Sequence, residues 1–507
     1  MPQKNEWTLR LEDFSGGLTP IYWTQTYPDR GKANQLGVMT DCDIWGNYPL
    51  LGQGPNFTAY TNSSLVTTQI KGFSRYDSAA PTYIFGGGGS TLYAFNSAAF
   101  TLVSSADWPR LVNHPTATGE SVVDCELYSQ KSATEFLFYS YNHSTGGDVG
   151  RHTTNTSTFD DDYLSTVPTG AFSLSNASER EYPLEIGPDD VLYIGNTRYV
   201  SKLDGTTATE AALSLPLNFF IYDIRWMTDR LYISAVYPGN TSTIGQQFSI
   251  IFVWDGIQTR HLYDIEAIGK KITAMYPFNG VMMLWYADKG GYYNLGYIEG
   301  EEIRSLIRTS DNILPLGYQI DEYEGSLIWK SNNDGKLWGW GSISPEIPPV
   351  LFQFGTHAGG GIALNNGIII SAGTTGVSYW RGSGYATTSL SRTLMFNATK
   401  DDKISVLDKL IVYVKGANGE NIATGARVDI TIDYMDQDGA VQTAATPRPN
   451  SGQLSFSNYG AVGRVVFHDV NIRCQKFRLN FNWANGSTSN PVNIERVEVK
   501  GHYIDYR

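Results

Sequence analysis

Cysteine is scarce in this chain of 507 residues, which contains only Cys42, Cys125 and Cys474. The three are odd in number, lie far apart and lack the paired spacing of zinc ligands, so the sequence predicts neither a disulfide framework nor a zinc site. Such cysteine usage is typical of a protein made in a reducing cytosol. Residues 1–7 contain no apolar core, and we therefore expect no secretory signal.

Long apolar runs are also missing. No stretch approaches the roughly 18 uncharged apolar residues that a membrane helix requires, so we predict no membrane segment. Charged residues make up 17% of the chain, below the usual figure of about 25%, which argues against a coiled coil. The 13% of aromatic residues argues against disorder and favours short strands and tight turns.

Positive charge is in deficit, because 37 Lys and Arg face 50 Asp and Glu and leave a net charge of −13. No run of basic residues occurs. A protein that grips nucleic acid by counterion release should carry a basic excess or stripe. An excess of acidic residues is typical of an acidic surface that keeps a protein in solution. It also suits a conduit along which nucleic acid slides without binding.

Short apolar runs recur between about residues 70 and 393. They are too short for helices and are bounded by Gly or by Asn and Asp, which is typical of strands. Their spacing of roughly 40 to 55 residues is that of propeller blades. Seven runs are visible, beginning at Tyr83, Phe136, Val191, Leu231, Val281, Leu327 and Ile368.

Each repeat divides into four strands. One predicted blade comprises 220–225, 230–235, 248–254 and 259–265, and the next comprises 272–276, 280–286, 292–298 and 302–307. A four-stranded blade must cover both faces of its sheet, and radial stacking around a channel does this. We therefore predict an all-β fold with a six- or seven-bladed β-propeller over residues 63–395.

The two ends of the chain follow other patterns. From about residue 400 the strands lengthen and alternate cleanly, and Asp438-Gly439 and two Asn-Gly pairs supply hairpin turns. This pattern predicts a C-terminal antiparallel β-sandwich over 400–507. Residues 1–62 fit neither pattern, and we interpret them as an extended N-terminal arm with short strands.

Catalytic and metal-binding motifs are sparse. The seven histidines form no paired ligand motif and no G-x-S-x-G elbow occurs. The glycine-rich segment 85–90 lacks the lysine of a phosphate loop and predicts a wide hairpin turn. Asp160, Asp161 and Asp162 offer carboxylates suited to calcium, but their polar surroundings favour a solvated loop. We predict no catalytic residue, no cofactor and no metal.

A glycoside hydrolase stays open at this point, because its two carboxylates can come from different blades. A sialidase-like site would need an arginine cluster, whereas the arginines here are scattered. Residues 331–338 resemble an Asp-box hairpin, with Asn333 in place of the usual aspartate. Such a box is a folding device and does not by itself indicate a glycosidase.

Short motifs at both ends carry a resemblance. The first set comprises Asp13-Phe14-Ser15-Gly16-Gly17-Leu18, Asn34-Gln35, Asp41-Cys42-Asp43, Gly46, and Gly52-Gln53-Gly54. The second set comprises Lys476-Phe477-Arg478-Leu479, Asn490-Pro491-Val492, Ile494 and Val497-Glu498-Val499. Together they resemble the ends of tailed-bacteriophage proteins that have a propeller between them. The family is that of the tail-nozzle or packaged-DNA stabilisation proteins of short-tailed phages, although residues 18–23 are more aromatic than its pattern.

This resemblance implies a structural virion protein without enzymatic activity. Members of the family form a six-fold ring beneath the portal and adaptor, continue the DNA channel, retain the genome and open for ejection. The implied partners are further copies of the chain, the adaptor or portal complex, and tail fibres or a needle. Genomic DNA would pass the lumen without specific binding. The implied location is the virion tail, after synthesis in the bacterial host cytoplasm.

Two other classes remain. One is a phage tail-tip or receptor-binding propeller that recognises host surface glycan through aromatic loops. The other is a carbohydrate-active, sialidase-like propeller enzyme whose C-terminal sandwich is a binding module.

Overall fold

The fold is taken from a computed structural model. It describes residues 6–14, 36–43, 50–54, 56–61, 66, 68–76, 83–96, 101–102, 121–143, 146–153, 159–175, 182–237, 248–332, 334–342, 349–357, 359–365, 368–380, 386, 388–400, 403–416, 422, 427–447, 453–455, 462–467, 469–483 and 492–505.

The chain is nearly all β, as predicted. Strands hold 68% of the described residues and helices 2%. The helical part comprises one turn of α-helix, α1 (Tyr163–Thr166), and a 3₁₀-helix (Gly317–Gln319). No helix among the described residues is long and apolar enough to cross a membrane.

Five short strands precede the repeating part of the chain. They are β1 (Glu6–Leu11), β2 (Leu36–Thr40), β3 (Cys42–Asp43), β4 (Gly52–Gln53) and β5 (Thr58–Ala59). In β1 the side chains alternate strictly between exposed and buried, as expected for a strand with one face on a core.

Seven four-stranded antiparallel sheets follow within the described residues. Sheets 1 and 2 contain β6 (Gly72–Tyr76), β7 (Tyr83–Gly88), β8 (Thr91–Asn96) and β9 (Thr101–Leu102), then β10 (Ser121–Tyr128), β11 (Phe136–His143), β12 (Gly146–Thr153) and β13 (Phe159–Asp160). Sheets 3 and 4 contain β14 (Leu184–Ile186), β15 (Leu192–Asn196), β16 (Tyr199–Asp204) and β17 (Thr207–Ser214), then β18 (Phe220–Met227), β19 (Arg230–Tyr237), β20 (Phe248–Trp254) and β21 (Tyr263–Ala267). Sheets 5 and 6 contain β22 (Lys270–Phe278), β23 (Val281–Asp288), β24 (Tyr293–Glu299) and β25 (Glu302–Thr309), then β26 (Ile320–Tyr323), β27 (Ser326–Lys330), β28 (Lys336–Gly341) and β29 (Val350–Thr356). Sheet 7 contains β30 (Ile362–Asn365), β31 (Ile368–Ala372) and β32 (Val377–Trp380).

Sheet 7 takes its fourth strand from the beginning of the chain. Thr58 and Ala59 of β5 pair with Tyr379 and Ser378 of β32. The strand divisions predicted for sheets 4 and 5 agree with the structure to within a few residues at each end. This agreement extends to the strand order, since each strand pairs with the next one along the chain.

Contacts between the first strands of the sheets form a closed circuit. β6 contacts β10, and contacts continue from β10 to β14, β18 and β22. The 3₁₀-helix in front of β26 contacts β22, while β26 contacts β30, which contacts β6 in turn. These contacts link the first strands of the seven sheets in series, through the 3₁₀-helix between β22 and β26, and we call the region that they enclose the axis.

The C-terminal strands form two larger sheets. They are β33 (Ser389–Thr393), β34 (Phe396–Asn397), β35 (Lys403–Gly416), β36 (Arg427–Met435), β37 (Val441–Ala445), β38 (Gln453–Ser455), β39 (Val462–Phe467), β40 (Ile472–Cys474), β41 (Lys476–Trp483) and β42 (Val492–Asp505). One sheet has the order β1-β42-β35-β39, with β40 also on β35. The other has the order β2-β33-β41-β36-β37, with β34 on β41 and β38 on β36.

The N-terminal strands are thus part of the C-terminal sheets. Trp7 of β1 is buried, stacks on Phe477 of β41 at 5.9 Å between ring centroids, and donates its indole N–H to the Ser405 hydroxyl at 3.0 Å. The predicted hairpin at Asp438-Gly439 joins β36 and β37, whereas Asn418-Gly419 and Asn485-Gly486 lie outside the described residues. The boundaries 1–62, 63–395 and 400–507 stay predictions.

Candidate functional site

The first strands of sheets 2, 3 and 4 bring five charged side chains together at the axis. Asp124 and Glu126 come from β10, Glu185 from β14, and Asp223 and Arg225 from β18. Residues two apart on a strand point to the same face, so β10 and β18 each present a charged pair on one face, and β14 adds the single acid Glu185. We call these five residues the axial cluster.

Arg225 is the cation at the centre of this cluster. One Nη atom lies 3.1 Å from the Glu185 carboxylate, and Nε lies 3.3 Å from that of Asp223. Burial acts to lower the pKa of Arg225, but the carboxylates of Asp223 and Glu185 raise it above its ordinary value. The guanidinium therefore stays charged and holds sheets 3 and 4 together.

Three aspartates on first strands act as bridges between neighbouring sheets. Each accepts a hydrogen bond from the backbone N–H of the next residue and a second one from the first strand of the following sheet. The donors to Asp124 are the N–H groups of Cys125 and Leu184, at 2.9 Å each. The donors to Asp223 are those of Ile224 at 3.0 Å and Met275 at 2.7 Å. The donors to Asp321 are those of Glu322 at 2.8 Å and Leu364 at 2.7 Å. Side-chain oxygens thereby pair backbone donors that the sheets themselves leave open.

Burial shifts the acids of the cluster toward their neutral form. It raises the pKa of Asp124 to about 7, against the opposing effects of the Leu184 N–H and Arg225. It raises the pKa of Glu126 to about 8, and the nearby Glu185 and Asp124 carboxylates raise it further. Burial also raises the pKa of Glu185 and of Asp223. The cluster can therefore take up or release protons near neutrality.

The cavity beside the cluster is small. A cavity of about 20 Å³ is lined by Asp124, Asp223, Arg225, Tyr222 and Gly317, among others. At Gly317 a Cβ atom would lie 2.8 Å from Arg225 Nη2, so the 3₁₀-helix closes tightly over the cluster. A space of this size suits one water molecule and not a sugar ring.

A second polar cluster joins sheets 6 and 7. Lys330 is fully buried and donates to the Ser371 hydroxyl at 3.1 Å and to the Ala372 carbonyl at 2.5 Å. His357 Nδ1 lies 2.8 Å from Ser371 Oγ. Burial lowers the pKa of Lys330 to about 7 and that of His357 to about 4, the latter also because Lys330 is near. Ser371 is fully buried, which leaves its hydroxyl no access to a substrate.

An apolar groove lies between sheets 5 and 6. Its volume is about 280 Å³, and its lining includes Phe278, Met283, Tyr297, Leu306 and Trp340. Other aromatic residues named in the repeats, including Trp254, Trp285, Trp329 and Trp338, are buried among the sheets. These aromatic residues therefore serve packing.

Asp161 and Asp162 lie in a turn, in agreement with the predicted loop, and Asp162 is exposed while Asp160 and Asp161 are partly exposed. Asp160 ends β13, and Asp161 and Asp162 accept hydrogen bonds from the hydroxyls of Tyr139 at 2.8 Å and Tyr141 at 2.6 Å. The phenols of the neighbouring strand β11 hold this turn in place. In the described part of the chain no three His, Cys, Asp or Glu side chains are placed to hold a metal ion.

The glycine-rich segment is mostly strand, and the prediction of a wide turn is wrong. Gly86, Gly87 and Gly88 lie in β7, and the turn contains only Gly89 and Ser90. Glycine is needed in the strand because a Cβ atom on Gly87 would lie 2.2 Å from Cγ1 of Val122 in the next sheet. Close approach of sheets, not turn geometry, explains this run.

The Asp-box-like segment is a hairpin, as predicted. The Ser331 hydroxyl bonds to the Asp334 carboxylate, and the N–H of Lys336 donates to Ser331 Oγ at 3.1 Å. Asn333, the departure from the Asp-box pattern, lies outside the described residues.

The described histidines are scattered through the fold. His152 is buried, His261 packs edge-on against Phe252, and His502 contacts the Asp408 carboxylate at 2.8 Å. His143 ends β11. His114 and His468 lie outside the described residues.

Sequence reasoning missed the axial cluster. The signal that would have found it is an acid at the middle of the first strand in several repeats, such as Asp124, Asp223 and Asp321. Acids in largely apolar strands are unusual because burial penalises their charge. Their shared position in different sheets indicates a common role at the axis.

Comparisons with known proteins give little further information. No family model matches the chain, and no curated protein matches it. Among solved structures, the crystal structure of Raptor from Chaetomium thermophilum is similar to it with a TM-score of 0.43 and 9% sequence identity. The match covers 65% of this chain and 29% of that chain. A likeness at this level carries no information on function.

Proposed function

We propose that this chain is a structural protein of a bacteriophage tail that assembles into a ring of the nozzle type. The ring would continue the DNA channel, retain the packaged genome and open for ejection. The observation that carries the proposal is that the N-terminal and C-terminal parts of the chain pack together. Short motifs in these two parts resemble those of this family.

Contacts between the motif-bearing ends are extensive. β1 pairs with β42 along its whole length, and Leu51 and Ile494 exchange backbone hydrogen bonds at 3.1 and 2.8 Å. The Val492 N–H points to Gln53 Oε1 at 3.4 Å. At Gly52 a Cβ atom would lie 2.2 Å from Oδ1 of Asn493, so glycine is required where the two ends touch. The described parts of the two sets of motifs, which include Gly52, Gln53, Val492 and Ile494, therefore lie in contact, and this supports reading the two sets as one resemblance. Residues 15–18, 34–35, 46 and 490–491 of the motifs lie outside the described residues.

The seven four-stranded sheets are, in this proposal, the seven blades of a β-propeller. The closed circuit of first strands supports this count over six, and β5 would complete the last blade. The two larger sheets would form the β-sandwich, with strands from both ends of the chain. A rigid propeller offers broad sides for contacts between subunits, which a ring of six copies requires.

DNA would pass through the lumen that the subunits of the ring enclose, and not along the axis of a single propeller. The cavity beside Arg225 and its carboxylates has a volume of only about 20 Å³. The net charge of −13 favours a lumen that does not hold phosphates. The adaptor or portal complex and tail fibres or a needle would be the neighbours. The location would be the virion tail, after synthesis in the bacterial host cytoplasm.

A glycan-binding tail-tip protein is the second candidate. The groove beside Tyr297 and Trp340 favours it, because aromatic faces are common sugar platforms. A sialidase-like enzyme has less support. Carboxylates from different sheets do meet at the axis, but the cavity beside them is too small for a sugar.

Mass photometry of the full-length chain tests the proposal. We expect particles of six times the chain mass of 56.1 kDa. Monomers at all concentrations, together with binding of a sialylated or bacterial surface glycan, would contradict the ring and favour the tail-tip candidate. Release of sugar from such a glycan would favour the enzyme.

A further inference from the structure

The axial cluster has more carboxyl groups than it has cations in contact with them. Arg225 is already engaged by Glu185 and Asp223. Among the described contacts, Asp124 and Glu126 have only neutral partners. If all five side chains of the cluster are charged, the net charge of this largely buried group is −3.

Neutral groups hold Asp124 and Glu126 between three sheets. The Glu126 carboxyl receives the N–H of Leu127 at 3.2 Å and the hydroxyl of Ser74, on β6, at 3.4 Å. Asp124 receives the N–H of Leu184, just before Glu185 on β14, at 2.9 Å. The two carboxyls therefore connect β10 to the sheet before it and to the sheet after it.

We propose that Asp124 and Glu126 form a proton-dependent latch in the ring of sheets. When both carboxyls are neutral, β10 stays packed against β6 and β14. When both are ionised, repulsion from Glu185 and Asp223 loosens β10 from its neighbours, since one guanidinium offsets only one of the four negative charges.

The described strands packed on β10 carry few charges besides those of the cluster itself. β7, β8 and β11 contain no Asp, Glu, Lys or Arg, β11 ends at His143, and the phenols of β11, Tyr139 and Tyr141, donate to Asp161 and Asp162. β6 carries one charged residue, the exposed Arg75, adjacent in sequence to Ser74. β14 carries Glu185, and β18 carries Asp223 and Arg225, as described above.

The sign of the pH effect follows from burial. The pKa of Glu126 is raised from an ordinary 4.5 to about 8, and that of Asp124 from 3.8 to about 7. The stabilisation by these protons is complete below the ordinary pKa values and is lost as the pH rises through the raised ones. The structure predicts that β10 opens more readily at about pH 7 than at about pH 5.

Amide hydrogen exchange of the full-length protein tests the latch, with Glu126→Gln as the main variant. After correction for intrinsic exchange rates, we expect protection of β10 in the original protein to fall at least about tenfold between about pH 5 and about pH 7. In E126Q the fall should be clearly smaller. Glu210→Gln changes an exposed acid on β17 and is the matched control; it should behave like the original protein.

Two outcomes would overturn the proposal. One is constant protection of β10 in the original protein over this interval, a result that needs no variant to fold. The other is an equal fall in E126Q and in the original protein. His357 and Lys330 also titrate with shifted pKa values, but they are common to both proteins and cancel in the comparison. Asp124→Asn should reduce the fall in the same way.

Discussion

Replacing Trp7 by alanine should destabilise the C-terminal sheets, because this residue attaches the first strand to them. The indole is 4% exposed, stacks on Phe477 and lies over Gly501, where a Cβ atom would be 2.6 Å from the ring. Truncating a buried Trp to Ala costs about 3 to 5 kcal/mol. For a unit of this size that corresponds to a fall in Tm of roughly 6 to 20 °C.

Two further variants separate the contribution of the indole N–H from that of the exposed side of the strand. Trp7→Phe keeps an aromatic ring but loses the N–H that reaches Ser405 at 3.0 Å, so we expect a loss of about 1 kcal/mol. Thr8→Ala changes the exposed side of the same strand and should stay within about 0.5 kcal/mol of the original protein.

Differential scanning fluorimetry and urea unfolding of the full-length chain, at one protein concentration, give the comparison. The reasoning would be refuted if Trp7→Ala cost less than about 1 kcal/mol, or if Thr8→Ala cost as much as Trp7→Ala. The first result would mean that Trp7 does not attach β1 to the sheets in which it is placed. The second would mean that the loss does not come from the buried indole.

Three other predictions concern the ends, the buried lysine and DNA. A fragment of residues 403–507 should give a poorly dispersed NMR spectrum, because it lacks β1, β2 and β33. A fusion of residues 388–507 to residues 1–54 should fold. A folded fragment of residues 403–507 alone would contradict this prediction. Burial lowers the pKa of Lys330 from 10.5 to about 7, so the stability that its neutral form contributes is lost as the pH falls through that value. The free energy of unfolding of Lys330→Met, relative to that of the original protein, should therefore be higher at about pH 7 than at about pH 10. An equal difference at both pH values in urea unfolding would count against this prediction. Fluorescence anisotropy with duplex DNA should show no submicromolar binding at physiological salt, and tight binding with a salt slope of several phosphate contacts would exclude a non-binding conduit.

The sequence predicted the repeating sheets well because their signals are local. Alternating apolar strands and Gly or Asn turns determined sheets 4 and 5 nearly residue by residue. The assignment of β1 and β5 was out of reach, because pairing with Val492–Asp505 and Val377–Trp380 depends on contacts hundreds of residues apart. A short strand shows only that one of its faces is apolar, not which sheet it joins.

The buried polar groups were harder to predict for the same reason. Asp124, Asp223 and Asp321 lie about 100 residues apart in the sequence, and only the circuit of sheets gives them a shared position. Lys330 gives no sequence signal, since its partners Ser371 and Ala372 lie in another sheet. The glycines of β7 were misread because close packing between sheets and tight turns both select glycine.

Negative-stain electron microscopy of the isolated full-length protein tests the central proposal most directly. The proposal predicts ring-shaped class averages with six-fold symmetry and an open central channel wide enough for duplex DNA. Monomers, or compact particles without a channel at concentrations well above those in the mass measurement, would contradict a nozzle-type ring.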